Sequence, residues 1–166
     1  MTAAGARTAD LARTAIGLLI ARGETVAVAE SLTGGLVAAA LSSVPGASAA
    51  LRGGVVAYAA DLKAALLGVP ADLLERHGTV HAAVAEAMAA GARDRLGATA
   101  AVATTGVAGP DPSEGKPVGM VFIAVARPAG TISRRLALTG DRAAIRAATV
   151  DSALDLLIAA TREEAE

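Results

Sequence analysis

Glu24-Thr25-Val26-Ala27-Val28-Ala29-Glu30 runs directly into Ser31-Leu32-Thr33-Gly34-Gly35. The first seven residues, apolar between two charges, predict a short buried strand. The next five form a turn that opens a helix reaching about Ser43, where Val44-Pro45-Gly46 breaks it. A buried strand that turns straight into a helix is half of a strand–helix–strand unit, so the chain reads as α/β.

Outward from that unit the alternation continues. Upstream, residues 7–22 predict a helix with Leu11, Ile16, Leu18 and Leu19 on its apolar face and Gly23 as its stop. Downstream, residues 52–58 predict a second strand, weakened at its start by Gly53 and Gly54. A helix from Asp61, as N-cap, to Leu67 follows, ended by Gly68 and Pro70. Ala71 to His77 and Ala82 to Leu96 predict two more helices, and Ala98 to Thr104 a third strand. A Gly- and Pro-rich loop covers Thr105 to Gly119. Val118 to Ala126 and Thr131 to Leu138 then predict a hairpin around Pro128-Ala129-Gly130. A last helix spans Gly140 to about Thr161, with residues 163–166 expected to fray. The expected fold is one domain over residues 1–166, a three-layer α/β/α sandwich with a mixed, mostly parallel sheet closed by the C-terminal hairpin.

Composition narrows the function. Hydrophobic residues make up 54% of the 166, but 45 residues are alanine, about half of that share. The alanines suit helices lying very close to the sheet. Charges, Gly or Pro interrupt every long apolar run, so neither a membrane span nor a membrane partner is expected. Asp10 and Arg13 interrupt the one stretch resembling a signal peptide, and a cytoplasmic protein is the default. Cysteine is absent, which excludes a thiol nucleophile, a disulfide scaffold and a cysteine zinc site. A net charge of -1 and two aromatic residues argue against nucleic acid as a partner.

Scarce residues mark candidate chemistry. Arginine occurs 13 times and lysine twice, at Lys63 and Lys116. A lysine retained against that bias suits a task for which arginine is unsuited, since only lysine readily loses its proton when buried. The one tyrosine, Tyr58, lies five residues before Lys63. Ligands in open α/β sheets bind at the carboxyl ends of strands. Three segments fall there: Ser31–Gly35, Tyr58 with Lys63, and Thr104-Thr105-Gly106. They face one crevice if their strands are neighbours.

Thr33, Gly34 and Gly35 offer backbone N–H groups to a phosphate or an oxyanion. Ser31 serves as a helix cap, a phosphate ligand or a nucleophile, and the turn lacks the P-loop spacing. A serine nucleophile needs a base. His77 and His81 imitate a metal pair, but Gly78 breaks the helix between them and no third ligand is evident, so they read as capping or solvated residues and no metal is expected. A neutral Lys63 is the more available base, with Tyr58 as proton relay or substrate anchor. Lys116 either closes over an anion or belongs to an ordinary surface loop. Arg142 offers a planar fork to phosphate, or Asp141 caps the last helix and leaves Arg142 solvated.

With Ala29-Glu30-Ser31-Leu32-Thr33-Gly34-Gly35, Pro45-Gly46-Ala47-Ser48, Gly54-Val55-Val56-Ala57-Tyr58 with Lys63, Leu67-Gly68-Val69, Thr105-Gly106-Val107-Ala108-Gly109-Pro110, Lys116-Pro117-Val118-Gly119 and Gly140-Asp141-Arg142 in this order, the chain resembles the CinA C-terminal domain family. The resemblance covers nearly the whole chain. It implies an α/β/α fold and hydrolysis of the carboxamide of nicotinamide mononucleotide, NMN, giving nicotinic acid mononucleotide and ammonia. It places the catalytic group at Ser31, Tyr58 and Lys63. Glu30 and Ser48, in matched segments, join Thr33, Gly34, Gly35, Thr105, Gly106 and Arg142 as candidate substrate contacts. Leu32 stands where the family often has Cys and His81 where Ser is common, and the family often has Thr near Ala57 and small polar residues near Ala59 and Ala60. The nucleotide-pyrophosphatase domain of some relatives is not in this sequence, so a stand-alone form is expected, without cofactor and as a homo-oligomer. The alternative is a catalytically silent nucleotide-binding or competence-associated regulatory module.

Overall fold

A computed structural model describes residues 3–163. Five strands form one sheet in the order β2-β1-β3-β4-β5: β1 Val26–Glu30, β2 Leu51–Val56, β3 Ala100–Gly106, β4 Met120–Arg127 and β5 Gly130–Ala137. β1 pairs parallel with β2 and with β3, while β4 is antiparallel to both β3 and β5. Four strands therefore run one way and β4 runs against them. The predicted hairpin extends the sheet at one edge around Pro128-Ala129, and the sheet stays open, with β2 and β5 as its edges.

The pleat sorts side chains between two layers. Val26, Val28, Val102, Val121, Ile123 and Val125 face one core, under helices α1 Ala3–Ala21, α2 Leu36–Ser42 and α6 Arg142–Glu163. Ala27, Ala29, Ala101, Ala103, Ala124 and Ala126 face the other, under α3 Ala60–Leu67, α4 Ala71–His77 and α5 Ala82–Arg95. The alanine face lets α5, itself rich in alanine, settle close to the sheet. At Gly91 an added Cβ would fall 1.8 Å from the Leu67 carbonyl oxygen, so α5 and the end of α3 touch backbone to backbone.

Several boundaries move. β1 begins two residues later than predicted, and β3 runs on through Thr105 and Gly106. A 3-10 turn, Ala47–Ala49, follows the Pro45-Gly46 break. β2 stops at Val56, so Tyr58 stands in the link to α3 rather than in the strand. Asp61 does not cap α3: the cap position is Ala59, without a side-chain bond, and Asp61 lies inside the first turn. Glu163 still belongs to α6, while the rest of the expected fraying, residues 164–166, lies outside the described residues.

Candidate active site

β1 lies between β2 and β3, so the three suspected segments emerge side by side at the carboxyl edge of the sheet. The link from β1 passes through α2 on one face, and the link from β2 passes through α5 on the other. A cleft of about 240 Å³ opens there, lined by Ser31, Leu32, Tyr58, Thr79, Val80, Gly106 to Gly109, Asp111, Ser113 and Arg142.

Lys63 comes up beneath Ser31 from the first turn of α3. It is 1% exposed, and its Nζ donates to Ser31 Oγ at 3.1 Å, to the Ala57 carbonyl at 2.8 Å and to the Tyr58 carbonyl at 3.2 Å. Burial drives its pKa from 10.5 down to about 8, against the opposing pull of Glu114. A neutral amine keeps two N–H bonds and one lone pair. Two carbonyls and one hydroxyl accept all three hydrogens of the ammonium; in the neutral amine two hydrogens stay on Ala57 and Tyr58, and the lone pair meets the Ser31 hydroxyl.

Tyr58 joins this arrangement differently from the expectation. Its side chain is 56% exposed, and its phenol accepts a hydrogen bond from Arg142 Nη2 at 2.8 Å. It reaches Lys63 through its backbone carbonyl, and among the described residues no bond links its hydroxyl to Ser31 or Lys63. Arg142 Nη1 also donates to the Gly109 carbonyl at 2.8 Å. Arg142 and Tyr58 thus meet at the cleft wall. Asp141 caps α6, accepting from the Ala144 N–H at 2.8 Å, as one reading of this segment expected, but Arg142 is engaged by Tyr58 and Gly109 rather than left to solvent.

The other candidates separate. Glu30 is buried, and its two carboxylate oxygens accept from the N–H groups of Val37 at 2.9 Å and Ala38 at 3.1 Å. It occupies the start of α2 itself, which makes it an anchor of the turn rather than a substrate contact. Thr33 is buried too, its hydroxyl 2.7 Å from that of Thr104. The Thr105 hydroxyl donates to the Thr79 carbonyl at 2.7 Å, which ties it to the cleft wall. Gly106 lines the cleft, but its glycine identity serves packing, since a Cβ would lie 2.6 Å from Val121. Gly34 and Gly35 take φ of 59° and 100°, the left-handed region that the turn requires. The Gly34 N–H is used on the Ser31 carbonyl at 3.0 Å. Among the described residues the N–H groups of Leu32, Thr33 and Gly35 donate to no protein acceptor. Ser48 sits in the 3-10 turn before β2, at the amino end of the sheet, because α2 carries the chain back across it.

Two residues were missed or misplaced by sequence reasoning. Arg146 donates to the Leu32 carbonyl at 2.9 Å and the Thr33 carbonyl at 3.2 Å, bracing the nucleophile turn from α6. Its position one helical turn after Arg142 was the available signal. Lys116 does not close over an anion; its Nζ donates to the His77 carbonyl at 2.6 Å and the Val80 carbonyl at 2.5 Å. His77 and His81 stack with ring centres 4.0 Å apart, and His81 Nδ1 accepts from the Ala83 N–H as the cap of α5.

The chain belongs to the CinA C-terminal domain family, whose model matches residues 8–161. A CinA-like protein of Frankia casuarinae is 55% identical over 142 residues, which are 86% of this chain and 33% of that protein. A CinA-like protein of Anaeromyxobacter sp. is 50% identical over 92% of this chain and 38% of its own length. The chain thus spans about a third of the curated relatives it matches. Among solved structures, the competence/damage inducible protein CihA from Agrobacterium tumefaciens superposes with a TM-score of 0.89 at 41% identity, covering 92% of this chain and 94% of that one. A competence-damaged protein (CinA) superfamily protein from Enterobacter cloacae gives 0.90 at 29% identity, covering 93% and 92%. Among the described residues no helix is long and apolar enough to cross a membrane.

Proposed function

We propose that this chain is a serine amidase that hydrolyses the carboxamide of NMN to nicotinic acid mononucleotide and ammonia, with Lys63 as base. The observation that carries this reading is the buried Lys63 amine 3.1 Å from Ser31 Oγ, with its pKa lowered to about 8. Family membership agrees with it. Neutral Lys63 takes the Oγ proton as Oγ bonds to the carboxamide carbon. The tetrahedral oxyanion turns towards the N–H groups of Leu32 and Thr33, which no acceptor among the described residues engages. Protonated Lys63 returns its proton to the departing nitrogen, the C–N bond breaks, and ammonia leaves an ester on Ser31. A water then attacks that ester. Lys63 takes the water's proton and hands it to Oγ as the ester bond breaks. Tyr58 and Arg142 hold the nucleotide at the cleft wall, the guanidinium facing its phosphate. Nucleophile and base both come from the chain, so the scheme needs no cofactor.

The relatives' names, competence/damage inducible among them, favour a second reading as a regulatory module. Ammonia release from NMN separates the two. Ser31→Ala and Lys63→Arg should each lower turnover by about a thousandfold or more while the protein stays folded, because the first removes the nucleophile and the second keeps charge without basicity. NMN binding without ammonia between pH 6 and 9 would favour the regulatory module. Near-normal turnover by Lys63→Arg would remove Lys63 from its role.

A further inference from the structure

The loop after β3 ends in a tight turn, Ser113-Glu114-Gly115-Lys116, closed by mutual backbone hydrogen bonds between Ser113 and Lys116. Glu114 takes a φ of 52°, a left-handed conformation that a non-glycine residue adopts at a cost. What holds it there is visible. Its carboxylate accepts from the Thr79 N–H at 2.8 Å and from the Thr79 hydroxyl at 2.9 Å. Lys116, 3.9 Å from the same carboxylate, grips the carbonyls of His77 and Val80. Thr105 takes the carbonyl of Thr79. The link between α4 and α5 is thereby held on both sides, and Thr79 and Val80 form the cleft wall.

We propose that Glu114 is a positioning residue for the Ser31–Lys63 pair: it fixes the Thr79–Val80 wall of the cleft that Ser31 also lines, and its fixed negative charge acts on the buried amine. The inference rests on the Ser31–Lys63 reading of the site. The charged surroundings single out Glu114. The Glu30 carboxylate is turned onto α2, and His77, Lys116 and Glu86 act on His81 along the α4–α5 side. Glu114 is the charge whose field reaches Lys63, where it opposes the effect of burial.

Glu114→Gln separates the two contributions. The amide still accepts from the Thr79 N–H and donates to its hydroxyl, so the wall stays in place while the charge is removed. The chain has only two lysines, so 13C-labelling of lysine side chains yields two signals, and the one lost in Lys63→Met is Lys63. The Lys63 titration midpoint, near 8 in the wild type, should fall by a few tenths of a unit in Glu114→Gln, and the fall should shrink in high salt. Ammonia release from NMN should show its acid limb moved down by the same amount. Glu114→Ala should combine that shift with a severalfold loss of turnover at every pH, because the wall is released too. An unmoved Lys63 midpoint in Glu114→Gln would overturn the proposal, as would wild-type turnover at every pH in Glu114→Ala. The spectroscopic titration needs no substrate. A shifted midpoint in a protein that leaves NMN intact would therefore uphold Glu114 while removing the amidase reading.

Discussion

Lys63 exchanges water for two carbonyls and a hydroxyl, which satisfy its N–H groups but do not replace the bulk solvation of a positive charge. Folding therefore favours the neutral amine. The unfolded chain holds this proton up to pH 10.5 and the folded chain up to about 8, so between those values the unfolded state binds more protons and stability rises with pH. Below about pH 8 the penalty is present in full. The wild type should thus gain melting temperature relative to Lys63→Met as pH rises from 8 towards 10.5, and paired thermal scans test this. Parallel curves would mean that the amine is solvated in the folded protein. The scarcity of lysine made Lys63 legible as a candidate. The route of the Tyr58 phenol to Arg142, 84 positions away, was not legible, because no local pattern encodes so distant a partner.

Among the elements, α3 and α5 depend on a contact that propensity alone reads the wrong way. Alanine is worth about 1 kcal/mol more than glycine inside a helix, which would make Gly91→Ala stabilising. Here the new methyl group would meet the Leu67 carbonyl oxygen at 1.8 Å, and Leu67 ends the helix that carries Lys63. Overpacking against backbone should cost about 3 kcal/mol net. Urea unfolding would measure that loss, and ammonia release should fall alongside it because α3 is displaced. An unchanged urea midpoint would show that the helices part freely. The same limit of local reading applies to α2. Its start was assigned to Ser31 as cap or to an incoming anion, but Glu30, the last strand residue, folds back to fill it. A strand residue serving the helix seven positions later follows no capping pattern.

Across the whole molecule, the sheet has one alanine face and one Val/Ile face, and the two should respond differently to added volume. Ala101 and Val102 are neighbours in β3, both fully buried, on opposite faces. Ala101→Leu pushes three carbons towards α5 and should cost about 3 kcal/mol or more, whereas Val102→Leu should stay below about 1.5 kcal/mol. Equal losses in chemical denaturation would deny the asymmetry. Alternating valine and alanine, together with the breaks at Gly23, Pro45, Gly68 and Gly78, determined the strands, the helices and their order, because hydrophobic period and backbone preference act over a few residues. The carboxyl edge followed as the place to look once β1 was read as parallel. Only the tertiary structure decided which polar groups meet there. It set Lys63 against Ser31, Arg146 against the nucleophile turn and Glu114 against Thr79. Those meetings depend on strand order and on how close each helix lies to the sheet, and the summed packing of the two cores sets both.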